Sequence, residues 1–419
     1  MYFISTVEEL VKQNSNRRSY NKLEIKHCPN SIFTATEEEV ISLTKSLKGK
    51  PTAGYDDIPE RLVKQCIHLI KGPMAHIYNA SLNSGVFPDK WKTAKVKPLY
   101  KKGDRYDMQN YRPISIISVF AKLLERLMYN RISFLYENKI FTEAQNGFRK
   151  GKCTETAVQS FIEMIQEALH KRVHTIGIFI DLTKTYDVLN HKLLLEKLSS
   201  YGITGTTNSW FRFYLTNRRQ FIEINQNDSS NVMVNRHRSA FMEIKQGVPQ
   251  ALVLGLLLYL LYINDLPLNI HGANLVMFAN DINVLIKDSD VGALQNKIYR
   301  VTAELETWFN RDDLIINASK TGVMSFCKRQ TSFLVKPQVT FNKMNLDCIT
   351  EKKFLGIHIT ETLKWNSHVQ SLASKLSKVS FMIKSLKEIL SPNMIRNINF
   401  TKFQSILWFG ILFWGGIGG

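Results

Sequence analysis

Three aspartates stand where a packed protein has least use for a charge. Asp181 lies at the end of the apolar, β-branched run HTIGIFIDL (174–182), and Asp187 follows six residues later. Asp281 sits at the tip of LVMFANDINVLI (275–286), two apolar runs joined at Ala-Asn-Asp. An unpaired buried charge is costly, so carboxylates at strand ends and turn tips call for a compensating cation. Metal-assisted phosphoryl chemistry needs such ligands around two ions about 4 Å apart. Taken singly, each residue reads first as a turn or capping aspartate, and the chemistry gains weight only from what surrounds it.

The elements that would position these groups form an α+β pattern. HTIGIFIDL reads as a buried strand, FIEIN (221–225) and SAFMEIKQG (239–247) as further strands, and 275–286 as a tight hairpin. Leu294, Ile298, Val301, Leu305 and Trp308 recur at spacings of three and four, the apolar stripe of a helix that covers a sheet. Residues 155–172 are helical in pattern, as is TEEEVISLTKSL, where Thr36 and three glutamates suit a helix N-terminus. The turn signals PTAGYDDIP (51–59) and SGVFPDKW (84–91) bracket another helix carrying Leu62, Val63, Cys66, Leu69 and Ile70 on its apolar face. Beyond about residue 362 a basic helical tail follows.

Charge narrows the partners. The 419 residues carry 55 Lys and Arg against 36 Asp and Glu, a formal +19, which fits a polyanion: nucleic acid or an anionic membrane surface. Residues 90–152 hold 15 basic and 5 acidic side chains, interleaved with Tyr100, Tyr106, Tyr111 and Phe148. That combination suits a phosphate-backbone track with rings near bases or sugars, although solvated basic faces are commonplace. Hydrophobic content of 44% excludes a disordered chain, and five scattered cysteines without a CxxC pair read as reduced thiols, not a disulfide framework. MYFISTVEEL lacks the basic start of a signal peptide, and the apolar run 251–263 is too short to span a bilayer. The apolar C-terminus reads as a chain cut within an element, ahead of a tail anchor.

The motifs extend over most of the chain. FIDLTK running into TYDVLNH, QGVPQ (246–250) and FAND (278–281) resemble successive palm motifs of reverse transcriptases. NYRPISIISVFAKLLERLMYNRI (110–132) and QNGFRKG (145–151) resemble the fingers motifs. LIINASKT (314–321), KFLGIHI (353–359) and LKWNSHV (363–369) resemble downstream palm and thumb elements. In order and spacing, roughly residues 50–416 resemble the reverse transcriptases of non-LTR (LINE-type, jockey-like) retrotransposons.

That resemblance implies a right-hand polymerase: an antiparallel palm sheet, basic fingers and a helical thumb. Its expected divisions are an N-terminal lead-in (1–50), fingers with the start of the palm (51–172), palm (173–335), primer-grip region (336–362) and thumb or tail (363–419). Asp181 and Asp281 would be metal-binding catalytic aspartates, with the Leu182 carbonyl as a supplementary ligand. Asn280 stands at the third metal position. Tyr186 would lie under the sugar and disfavour a ribose 2′-OH, Gln250 would line the nucleotide pocket, and Arg112 and Arg149 would meet the triphosphate. Lys320 would protonate the leaving pyrophosphate. For Arg112 and Lys320 an ordinary surface cation is the competing reading. Phe354, Leu355 and Gly356 would belong to the primer grip, and Asp187 would have a structural role. The implied cofactors are two Mg²⁺ ions, with Mn²⁺ as a substitute. The implied partners are an RNA template, a DNA primer and dNTPs, and the implied location is nuclear.

The chain departs from the family pattern at its metal box. The usual Tyr/Phe-Ala-Asp-Asp is Phe278-Ala279-Asn280-Asp281. An amide oxygen ligates a hard cation but brings no net charge. At about 4 Å and an effective dielectric near 20, a carboxylate–cation attraction is worth about 4 kcal/mol. Losing half or all of it corresponds to a roughly tenfold to thousandfold slower reaction. Ala251 and Leu252 replace the usual Gly-Ser after Gln250, and Leu256 replaces a proline. These departures keep open a second reading, a catalytically inactive nucleic-acid-binding remnant of the same element. A group II intron maturase, a telomerase-like polymerase and a membrane-associated protein are the more distant readings. The chain is expected to be a fragment of a longer open reading frame, since neither an endonuclease nor a Cys/His knuckle is recognisable in it.

Overall fold

A computed structural model describes residues 2–12, 34–132, 135, 140–227, 234–250, 252–328, 337–341 and 344–415. The strands in chain order are β1 (Thr93–Tyr100), β2 (Tyr111–Ile116), β3 (His174–Ile180), β4 (Arg218–Asn227), β5 (Val234–Arg238), β6 (Met242–Ile244), β7 (Ala273–Phe278) and β8 (Asp281–Asp288). They continue with β9 (Gly322–Phe326), β10 (Thr340–Phe341), β11 (Met344–Asn345), β12 (Asp347–Cys348), β13 (Glu351–Phe354) and β14 (Ile357–Thr360). Helices separate most of them, so the chain is a mixed fold of helices and sheets. It divides into two compact units, each assembled from three stretches of sequence.

The first unit comprises residues 1–142, 182–266 and 307–315. Its sheet runs β2-β1-β4-β5, with β6 also on β4; β1 and β4 are parallel, and the other pairs antiparallel. Helix Glu60–Ser84 packs near helix Gly205–Leu215, and Phe87, Trp210 and Tyr214 form an aromatic cluster with centroids 5.2–5.5 Å apart. Thr36 caps helix Glu37–Lys45 by accepting from the Glu39 N–H at 3.2 Å, with Glu37, Glu38 and Glu39 in the first turn, as the sequence predicts.

The apolar run at 251–263 becomes helix Val253–Tyr262, buried from Leu257 through Tyr262. Its hydrophobicity therefore serves a core. Among the described residues no helix is long and apolar enough to cross a membrane. Beneath this helix Lys197, fully buried, donates to Asp265 (2.7 Å), to Asp312 and to the Tyr262 carbonyl. Arg311 and Trp308 donate to the second Asp265 oxygen at 2.8 and 3.2 Å. Burying this many charges is tolerable only because each carboxylate faces a cation.

The second unit comprises residues 143–181, 267–306 and 316–419. Its sheet has the order β12-β9-β3-β8-β7, antiparallel except for the β12–β9 pair. The strand expected from HTIGIFIDL is its central strand, and the expected hairpin is β7–β8. Central β3 is apolar from Ile176 to Ile180 because both of its faces are covered there. Helix Thr154–His170 supplies Phe161, Ile162 and Ile165 to a core with Phe179, Met324, Phe326 and Phe354. β13 and β14 form a separate antiparallel hairpin, followed by helix Asn366–Leu386 of the basic tail.

One expected strand is shorter than its sequence suggests. Of SAFMEIKQG only Met242–Ile244 pairs, because the chain then turns at Gly247 (φ +79°). There the Gly247 and Val248 N–H groups donate to the carbonyls of Leu189 and Tyr186 and not to a neighbouring strand.

Candidate active site

In the second unit, strand register brings two acids together. Ile180 of β3 pairs with Ile282 of β8 as the last rung of the ladder, and Asp181 and Asp281 are the next residue beyond it on each side. The Asp181 backbone is held on both sides. Its N–H donates to Thr321 Oγ1 (3.2 Å), and its carbonyl accepts from the Asn317 N–H (2.8 Å). Lys320 follows in the same turn, and its Nζ lies 3.9 Å from Asp181 Oδ2. LIINASKT thus delivers both a backbone clamp and a cation to this aspartate.

Asp281 and Asn280 come from the β7–β8 turn. Phe278 pairs with Asp281, leaving Ala279 and Asn280 as a two-residue loop. The first of these two positions is normally glycine when φ is positive, yet Ala279 holds φ +53°. Asn280 is half-buried and Asp281 exposed, so the oxygen-bearing groups lie at the accessible end of the hairpin.

Residues 143–152 brace that hairpin from outside. Met277 N–H donates to the Ala144 carbonyl, and Asn146 N–H donates to the Met277 carbonyl, both at 2.8 Å. Arg149 lies in this segment, with its guanidinium donating to the Gln145 carbonyl (3.0 Å) and paired with Glu143 (3.3 Å). Phe354 is a core side chain 5.1 Å from Phe161. Leu355 (φ +46°) and Gly356 (φ +98°) make the β13–β14 turn, and Phe409 packs against Gly356.

In the first unit, Gln250 and Asp187 form a pair. Gln250 Nε2 donates to both Asp187 carboxylate oxygens at 2.9 Å. Burial pushes the Asp187 carboxyl up to about 6, against the hydrogen bonds from Gln250 and the charge of Lys184. The pair borders a small cleft of about 50 Å³ that Phe3, Val7, Pro113, Ser115 and Val248 also line. Tyr186 packs on buried Tyr259 with centroids 4.8 Å apart. Leu182 is buried, whereas Arg112 is exposed on β2 opposite Leu99. Ala251 lies outside the described residues; Leu252 is buried and Leu256 half-buried.

Asp181, Asn280, Asp281 and Lys320 are therefore gathered in one unit around one strand end. Tyr186, Gln250 and Arg112 belong to the other unit. The contributions of Gln145 and Gly147 were not legible beforehand: QNGFRKG draws attention to its arginine, and only the folded β7 edge shows what the glutamine contacts.

Comparison with known proteins gives the family of this fold. Residues 99–359 match the reverse transcriptase (RNA-dependent DNA polymerase) family, and the chain belongs to that family. It is 27% identical over 396 residues to the probable RNA-directed DNA polymerase from transposon BS of Drosophila melanogaster, covering 90% of this chain and 42% of that protein. It is 26% identical over 397 residues to the RNA-directed DNA polymerase from mobile element jockey of the same organism, covering 92% and 42%. The resemblance read from the motifs is thus upheld, and the chain spans less than half the length of these curated relatives.

Proposed function

We propose that this chain is the RNA-directed DNA polymerase portion of a non-LTR retrotransposon, extending a primer 3′-OH with dNTPs on an RNA template. The observation that carries this reading is the β3–β8 register, which brings Asp181 and Asp281 to the same end of the ladder just past its last rung, with Lys320 beside Asp181. On this reading the second unit's sheet is the palm, the basic segment 90–152 belongs to the fingers, and the helices after residue 362 form the thumb.

The donor set suits a hard divalent cation: two carboxylates and the Asn280 amide oxygen, with no sulfur or imidazole. Among the described residues no group of three or more His, Cys, Asp or Glu is arranged around a metal position. Asp181 and Asp281 would hold Mg²⁺, helped by Asn280 Oδ1 and the Leu182 carbonyl. When bound, the ions stabilise the attacking and leaving oxygens of an in-line displacement at the α-phosphate. Lys320 supplies a proton to the leaving pyrophosphate. Tyr186 and Gln250 shape the nucleotide position, Arg112 and Arg149 attract phosphate oxygens, and the Phe354–Gly356 turn positions the primer end.

Asn280 favours one second reading, a nucleic-acid-binding remnant without polymerase activity. Primer extension on an RNA template with Mg²⁺ and dNTPs, comparing this chain with Asn280→Asp, separates the two. The polymerase reading predicts extension by the aspartate variant that is about tenfold to thousandfold faster than by the parent. Tight template–primer binding without extension by either chain selects the remnant.

A further inference from the structure

We infer that Gln145 and Gly147 are positioning residues for the metal-binding turn, setting the backbone from which Asn280 and Asp281 project. This rests on the proposed metal site. Gln145 is 1% exposed, and its Oε1 accepts from two backbone N–H groups, Ala279 at 2.9 Å and Gly147 at 2.7 Å. The amide has one workable orientation, because a flip would aim its NH₂ group at two donors. Among the described residues its Nε2 has no hydrogen-bond partner. A buried donor is thus left unsatisfied while the acceptor is committed to the turn.

The geometry of the turn explains why such a brace is useful. Ala279 is held at φ +53°, a conformation disfavoured for a residue with a Cβ, and such conformations persist only when their surroundings over-determine them. Gln145 Oε1 fixes the Ala279 N–H, the bridge between Gln145 and Met277 fixes the strand just before it, and Gly147 closes the remaining space. A Cβ on Gly147 would lie 2.4 Å from the Ala279 nitrogen, so backbone meets backbone there and a side chain would displace the turn. Asn280 and Asp281 are the next two residues, and any displacement passes directly to their oxygens. A site with one amide in place of a carboxylate depends more heavily on placement, since less charge is present to draw the ion in.

The test is metal affinity, measured apart from polymerisation. Mn²⁺ binding, followed by the loss of the free-ion paramagnetic resonance signal, is compared for the parent, Gln145→Met and Gly147→Ala. The same substitutions are repeated on Asn280→Asp, where the Mg²⁺ concentration for half-maximal extension is also read. The expected result is five- to fiftyfold weaker Mn²⁺ binding and an equal rise in the Mg²⁺ requirement, with unchanged template–primer affinity. Variants that melt earlier but bind Mn²⁺ within twofold of the parent would make the contact mere packing and overturn the proposal. Absence of Mn²⁺ binding by both the parent and Asn280→Asp overturns the metal site itself, and this inference with it. Should the variants not fold, amide exchange in the unmodified chain decides: a slow Ala279 N–H supports the bond, and one exchanging as fast as an exposed amide removes it.

Discussion

Gln250 and Asp187, 63 positions apart in sequence, are joined by one side-chain amide that donates to both carboxylate oxygens at 2.9 Å. The carboxyl is buried enough that its proton is held up to about pH 6, above its ordinary value of 3.8. In that window the folded state binds more protons than the unfolded chain. This group's contribution to stability therefore falls as pH rises from about 4 to 6 and stays low above that. Asp187→Asn should remove the slope and leave the variant more stable than the parent at pH 7.5, by up to about 3 kcal/mol. Urea denaturation at pH 4.5, 6 and 7.5 checks this, and identical pH profiles for the two chains would sink it.

Gly247 should be intolerant of a side chain. Its φ is +79°, and a Cβ would lie 2.5 Å from the Asp187 carbonyl oxygen. Gly247→Ala is expected to cost about 1–3 kcal/mol through backbone strain. By shifting Gln250 it should also raise the KM for dNTP more than it lowers kcat. A KM within twofold of the parent would show that the glutamine is not coupled to this turn.

Lys320 lies close enough to Asp181 to serve either as a salt-bridge partner or as a proton donor, and kinetics distinguish these roles. Lys320→Ala in the Asn280→Asp background should slow single-turnover extension by roughly 10²–10⁴-fold, the range for a lost general acid. Template–primer affinity should be unchanged. A loss below threefold would leave Lys320 as a surface cation.

The buried Lys197 cluster makes a prediction about stability alone. Lys197→Met leaves Asp312 and Asp265 short of a cation in a dry interior, at an expected cost of about 3–5 kcal/mol. The denaturant midpoint should fall sharply while the activity of the remaining folded fraction holds. A shift under 1 kcal/mol would mean that Arg311 alone neutralises both acids.

Local signals made β3, the β7–β8 hairpin and the helix at Val291–Arg311 readable, because apolar period and turn chemistry are written within a few residues. That Asp181 and Asp281 meet at one end of the ladder follows once those strands are adjacent, but adjacency itself is a long-range fact. Gln145 was invisible for the same reason. A buried glutamine has no distinctive pattern, and its partner, the Ala279 N–H, lies 134 residues away. The apolar run at 251–263 has neither helical nor strand periodicity in its sequence, so hydrophobicity alone could not give its conformation. The resemblance implies a structural role for Asp187 but gives no sign of its bond to Gln250, 63 residues away.

The central place of β3 in its sheet has a temporal consequence. Its neighbours β8 and β9 begin roughly 100 and 140 residues after it ends, and a ribosome adding about 5–20 residues per second delivers them many seconds later. During that interval a largely apolar strand has both edges unpaired, the condition under which nascent chains associate wrongly. The strand that leads into Asp181 thus waits, with apolar surface uncovered, for partners made much later in synthesis.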